Sequence, residues 1–245
     1  MEQKFIFKRQ IIAITLFFFI LMISVNSIFF YTSLMVEIVY LNIVFLPIFK
    51  KMIGYSSITQ KFIFEIPMIL ISVVYILKYP QNLKQNDNLL NLLFLFLIIA
   101  LMLSNKNLIS NIVNSPLSKF NSSYKKNILD LLLCVYPVIA EEIFFRYALF
   151  YSIDEYLSKI LSVTIVSIIF VCSHYISRWA NRIYTYKSYV FQLLLSVTLT
   201  TFMALGGNIL IAIFLHFIFN IQAWLPILLR TYKSVRRKKN VKKEF

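Results

Sequence analysis

Two adjacent carboxylates, Glu141 and Glu142, an arginine four residues on, Arg146, and both histidines of the chain, His174 and His216, lie within strongly apolar runs. An ionisable side chain at the centre of a bilayer costs about 2.5–3.5 kcal/mol on insertion scales, so such groups need one another. General acid–base chemistry on a polar substrate is the leading expectation. In the run Tyr136-Pro-Val-Ile-Ala-Glu-Glu-Ile-Phe-Phe-Arg146, Glu142 and Arg146 share a helical face. Glu141 is turned about 100° away, as consecutive helical residues are. One carboxylate can then be held ionised by the guanidinium while its neighbour faces a cavity and awaits water. A buried Glu–Arg pair that merely fixes packing would explain one glutamate and not two.

A second apolar run ends Phe170-Val-Cys-Ser-His174. Taken alone, His174 reads as an interfacial hydrogen-bonding residue, since an imidazole tolerates a half-wet site. A third contains His216-Phe-Ile-Phe-Asn220, an imidazole and a carboxamide one turn apart. Aimed at a carbonyl oxygen, such donors stabilise the charge that grows as water attacks, by roughly 3–4 kcal/mol for one good donor. The plainer alternative is an interhelical hydrogen bond, worth about 0.6 kcal/mol on average in a membrane.

The elements that must position these groups are helices. With 60% hydrophobic residues, 14% charged residues and three glycines among 245 residues, a soluble domain with a polar coat is excluded. At about 20 apolar residues per span, the sequence predicts an all-α, polytopic transmembrane bundle of about eight spans. They fall near 11–31, 33–49, 62–80, 88–104, 127–151, 157–177, 188–206 and 207–229. The first run is too long for a secretory signal and is expected to stay as a helix. Both termini are expected to be cytoplasmic. The inner segments then hold 21 of the 25 lysines and arginines, the outer ones only Lys78, Lys84 and Lys159, and Arg146 stays inside a span. Residues 1–110 read as a supporting bundle, 111–230 as the bundle that carries the chemistry, and 231–245 as a basic cytoplasmic tail. That tail accounts for much of the +15 net charge; it is expected to meet anionic lipid rather than nucleic acid. Cys134 and Cys172 lack paired spacing and read as buried thiols. Glu65 reads as an interfacial i,i+4 partner of Lys61.

Taken together, Glu141-Glu142-Ile-Phe-Phe-Arg146, Phe170-Val-Cys-Ser-His174 and His216-Phe-Ile-Phe-Asn220 resemble the three signatures of the CPBP intramembrane endopeptidases. That family includes CAAX prenyl endopeptidases and bacteriocin-processing or Abi proteins. The resemblance spans Glu141 to Asn220. Tyr147 departs from it, because family members commonly carry glycine there, and this puts substrate preference in doubt more than activity. The resemblance implies hydrolysis of a peptide bond by a glutamate-activated water. Glu141 would be the general base and His174 would help to hold the water. Glu142 and Arg146 would organise their helix, and His216 with Asn220 would form the oxyanion site. A metal-free mechanism is expected; the rival is a zinc ion on Glu141, His174 and His216, although His-Glu-x-x-His is missing and Asn220 is a poor zinc ligand.

Depth poses a difficulty. His174 lies about 6 Å from the cytoplasmic marker Arg178, whereas Glu141 lies about 22 Å from Lys126, at 1.5 Å per residue. Convergence would follow if residues 127–136, with Asp130, lay partly outside the hydrocarbon and Pro137 broke or bent the helix. The expected substrate is a membrane-associated peptide or protein tail. A bacteriocin or signalling-peptide precursor suits the Ile, Asn, Lys and Phe richness, which points to a bacterial cytoplasmic membrane. Two other classes stay open: a non-catalytic membrane partner or bacteriocin-immunity protein, and a small transporter with a proton relay.

Overall fold

The computed structural model describes residues 57–78, 88–105, 108–115, 123–176 and 185–241. Helices make up the described chain, and no strand occurs among the described residues. The order is α1 (Ser57–Lys78), α2 (Asn88–Leu103), α3 (Leu108–Val113), α4 (Tyr124–Glu141), a π-helical segment (Glu142–Leu149), α5 (Phe150–Asp154), α6 (Lys159–Ile176), α7 (Tyr186–Ala204), α8 (Ile209–Phe219) and α9 (Ile221–Val241). The predicted spans at 11–31 and 33–49 lie outside the described residues.

Local chemistry sets the helix starts. Ser123, Thr185 and Asn208 each take an extended backbone and accept a hydrogen bond from an early amide of α4, α7 and α8, which satisfies one of the orphan donors at each N-terminus. Between α7 and α8 the chain reverses through Gly206, whose φ of 89° only glycine adopts freely. Gly207 follows for a different reason: a Cβ there would sit 2.4 Å from the Phe202 ring.

The π-helical segment forms the centre of the molecule. Phe144, Phe145, Tyr147, Ala148, Leu149 and Phe150 are all buried, and Phe145 meets Phe144 and Phe170 edge-on at 4.9 and 5.1 Å. The α1, α4, α6, α7 and α8 helices pack around it. Outward faces remain apolar: Leu70, Val74 and Leu77 on α1, Leu89 and Phe96 on α2, Ile160 on α6, and Leu210 on α8 are exposed.

Two expectations need correction. The eighth span is not one helix, because α8 ends at Phe219 and α9 leaves at 73°. Asn220 closes α8, Ala223 N–H donates to its carbonyl at 2.8 Å, and the Trp224 indole N–H donates to Phe217 O at 2.8 Å. The Phe217 and Trp224 rings stack at 4.8 Å, so the corner is built, with an otherwise orphan helix carbonyl satisfied by a side chain. The fifth span, in turn, is not broken at Pro137; α4 runs through it to Glu141, and the change comes one residue later as π-helix. Among the described residues no single helix is long and apolar enough to cross a membrane; the bent α8–α9 pair passes by length and composition.

Candidate active site

The last residue of α4 and the first of the π-helical segment turn the two glutamates to different tasks. Glu142 is wholly buried. Its Oε2 lies 3.4 Å from Nε of Arg146, also fully buried, and its Oε1 lies 2.7 Å from Nδ1 of His216. The Arg146 guanidinium sits 4.4 Å from the centre of the Phe170 ring, a cation–π contact that gains strength away from water. Glu142 thus ties the π-helical segment to α8, and Arg146 ties it to α6.

Glu141 faces the other way. Its side chain is 18% exposed, and it lines a cavity of about 660 Å³ together with His174, His216, Asn220, Phe170 and Pro137. Its Oε1 stands 3.7 Å from Nε2 of His174, and its Oε2 stands 3.9 Å from Nε2 of His216. Three helical elements far apart in sequence therefore bring one carboxylate and two imidazoles together. The expected difference in depth vanishes without a break at Pro137.

The hydrogen bonds fix which ring nitrogens face the cavity. His174 Nδ1 lies 2.9 Å from Phe170 O. A carbonyl oxygen only accepts, so Nδ1–H donates and Nε2 carries the lone pair in the neutral ring. His216 is oriented likewise, its Nδ1–H donating to the Glu142 carboxylate at 2.7 Å. Both Nε2 atoms therefore turn to Glu141, and at 3.7 and 3.9 Å neither is a direct hydrogen bond.

Asn220 ends α8, with φ −81° and ψ 19°; its N–H donates to His216 O at 3.1 Å, which keeps it one turn on from His216, and it lines the cavity at the corner. Tyr147, the departure from the family pattern, is fully buried, meets Tyr75 of α1 edge-on at 6.0 Å, and is not among the cavity-lining residues. Cys134 and Cys172 form no disulfide and are half-buried, and Cys134 lines the cavity.

Sequence reasoning did not foresee the surroundings of three residues that it named. Phe170 joins the parts: its carbonyl orients His174, its ring lies 4.4 Å from the His174 ring, and the same ring receives Arg146. The four-residue spacing from Phe170 to His174 was the available signal. Asp130 accepts from Arg230 at 2.6 Å and fastens α9 to α4; a separation of 100 residues left no local trace. Glu65 is buried at 5% exposure, in the face of α1 that packs on α4 and the π-helical segment. The Lys61 side chain, its expected partner, lies outside the described residues.

Residues 125–222 match the family described as type II CAAX prenyl endopeptidase Rce1-like. This stretch is Rce1-like. It includes the cavity-lining residues Glu141, His174, His216 and Asn220. No curated protein and no solved structure matches the chain. Rce1-like proteins are membrane-embedded proteases, which agrees with the apolar outer faces. As for zinc, no group of three or more His, Cys, Asp or Glu side chains placed to hold a metal ion is found among the described residues.

Proposed function

We propose that the protein is a multi-pass intramembrane endopeptidase that hydrolyses a peptide bond of a membrane-associated peptide or protein tail with a glutamate-activated water. One observation carries this reading: Glu141 lies within 4 Å of Nε2 on both histidines at the wall of a cavity. A water among them can donate one hydrogen to Glu141 and the other to His174 Nε2, leaving an oxygen lone pair for the substrate carbonyl carbon. Glu141 takes the proton as the C–O bond forms, then delivers it to the leaving nitrogen as the C–N bond breaks. The Asn220 carboxamide donates to the oxyanion. His216 can add a second donor only when its ring carries both hydrogens, because Nδ1–H already serves Glu142. Glu142, Arg146 and Phe170 hold the three elements in register.

The orientation with both termini in the cytoplasm draws support from the asymmetry of basic residues. The basic tail suits anionic lipid, and a bacterial cytoplasmic membrane is the proposed location. A bacteriocin or signalling-peptide precursor is the favoured substrate, with a CAAX-type tail as the other. The test is cleavage of membrane-anchored peptides of both kinds by the protein in liposomes. Glu141→Gln should lower turnover by about 10²–10⁴-fold, the range of general-base catalysis. Undiminished cleavage by Glu141→Gln would reject the assignment, and loss on chelation restored by zinc would reject the metal-free mechanism.

A further inference from the structure

Two helices line the cavity with walls of different chemistry. On α4, Cys134, Pro137, Val138 and Glu141 recur at helical spacing. On α7, Ser188, Gln192 and Leu195 do the same. Either stripe is about 10 Å long at 1.5 Å per residue, room for a short extended chain that leads to Glu141. A peptide lying there keeps a polar backbone, and its N–H groups need acceptors. The α4 wall is apolar up to Glu141, and the Ser188 hydroxyl is 3.0 Å from Thr185 Oγ1. Gln192 differs. Among the described residues that line the cavity, it alone has a side-chain polar atom, Oε1, that is enclosed without a hydrogen-bond partner. An enclosed acceptor whose bond is unmade is costly. The last torsion of a glutamine is broad and the residue is half-buried, so a turn of the amide carries Oε1 to the cavity with no bond of its own to lose.

We propose that Gln192 is a substrate-binding residue whose Oε1 accepts a hydrogen bond from one backbone N–H of the substrate, laid as an extended segment between the α4 and α7 walls. This rests on the cavity being a peptidase site. A carboxamide oxygen only accepts, so its partner is a donor, and a peptide segment next to the bond that is cut brings one at every residue except proline. The contact reads the backbone and not a side chain. It therefore fixes the register of the chain against Glu141 while the apolar α4 wall receives the neighbouring side chains. One consequence is specific: the residue whose N–H meets Gln192 can be neither proline nor N-methylated, whatever its side chain.

The test replaces, one at a time, each backbone amide beside the cleaved bond of a membrane-anchored peptide with an ester, which deletes a single N–H and keeps the shape. The full chain in liposomes should cleave the parent about tenfold better in kcat/KM than the ester analogue at one position. Gln192→Met should cleave the two equally, and Gln192→Glu, which keeps an acceptor, should still discriminate. Gln192→Ala gives the same reading if methionine is not tolerated. A purely structural role would lower turnover and leave the ratio in place. Discrimination that persists in Gln192→Met, or a wild type without a sensitive position, would overturn the proposal. Binding is read apart from cleavage in the slow Glu141→Gln variant, by protection of Cys134 on the α4 wall from N-ethylmaleimide. The parent should protect at lower concentration than the sensitive ester, and this difference should vanish when Gln192→Met is added. Protection with that pattern but no cleavage by the wild type would count against the protease and leave the Gln192 contact standing. Peptides that neither protect Cys134 nor are cleaved would overturn both.

Discussion

Replacing Arg146 with Met keeps the length and bulk of the side chain and removes its charge. Glu142 then stays fully enclosed, with His216 Nδ1–H at 2.7 Å as a hydrogen-bond donor but without the guanidinium at 3.4 Å. Stranding one member of a buried ion pair costs about 3–5 kcal/mol, and loss of the contact with Phe170 adds up to about 2 kcal/mol. Arg146→Met should therefore be destabilised by about 3–5 kcal/mol or somewhat more. Glu142→Gln should fall near the lower end of that range, since the amide oxygen can still accept from His216. The double variant Glu142→Gln/Arg146→Met strands no charge, and should be less destabilised than the sum of the singles by about 2–3 kcal/mol. Equilibrium unfolding in mixed micelles, with helicity followed by circular dichroism, measures all three. Single variants that each lose under about 1 kcal/mol, or a double variant additive within about 0.5 kcal/mol, would refute a buried, coupled Glu142–Arg146 pair.

Two further outcomes follow from the fold. Asp130→Ala removes the 2.6 Å partner of the nearly buried Arg230; with Asp130 itself partly exposed, the expected loss is about 2 kcal/mol, between surface and buried pairs, seen as a lower unfolding midpoint and easier proteolysis of α9. Gly207→Ala drives a methyl into the Phe202 ring and should destabilise by about 1–3 kcal/mol as overpacking does, with much of the loss recovered in Gly207→Ala/Phe202→Leu by the same unfolding assay.

The sequence made the functional groups legible because lipid-compatible helices tolerate so few of them. Glu141, Glu142, Arg146, His174 and His216 stood out against apolar neighbours, and the structure gathers all five. Helical spacing carried the Glu142–Arg146 contact correctly. It failed beyond Phe219, where a side-chain hydrogen bond from Trp224 and a stacked Phe217 ring accompany a 73° turn of the chain; periodicity has no means of marking a corner fixed by such contacts. The π-helical turn after Glu141 was hidden for the same reason, since its residues are all compatible with α-helix and only tertiary packing selects the wider turn. The burial of Glu65 was not legible locally, because it depends on α4 and the π-helical segment, which lie far along the chain.

Glu141 and His174 are held to act on one water, and a double-variant cycle tests that most directly. Single-turnover cleavage of a membrane-anchored peptide would be compared for wild type, Glu141→Gln, His174→Ala and the double variant. Groups that act as a unit are non-additive, so the double variant should be about as slow as the slower single. Losses that multiply would contradict a shared water and place the two side chains in separate steps.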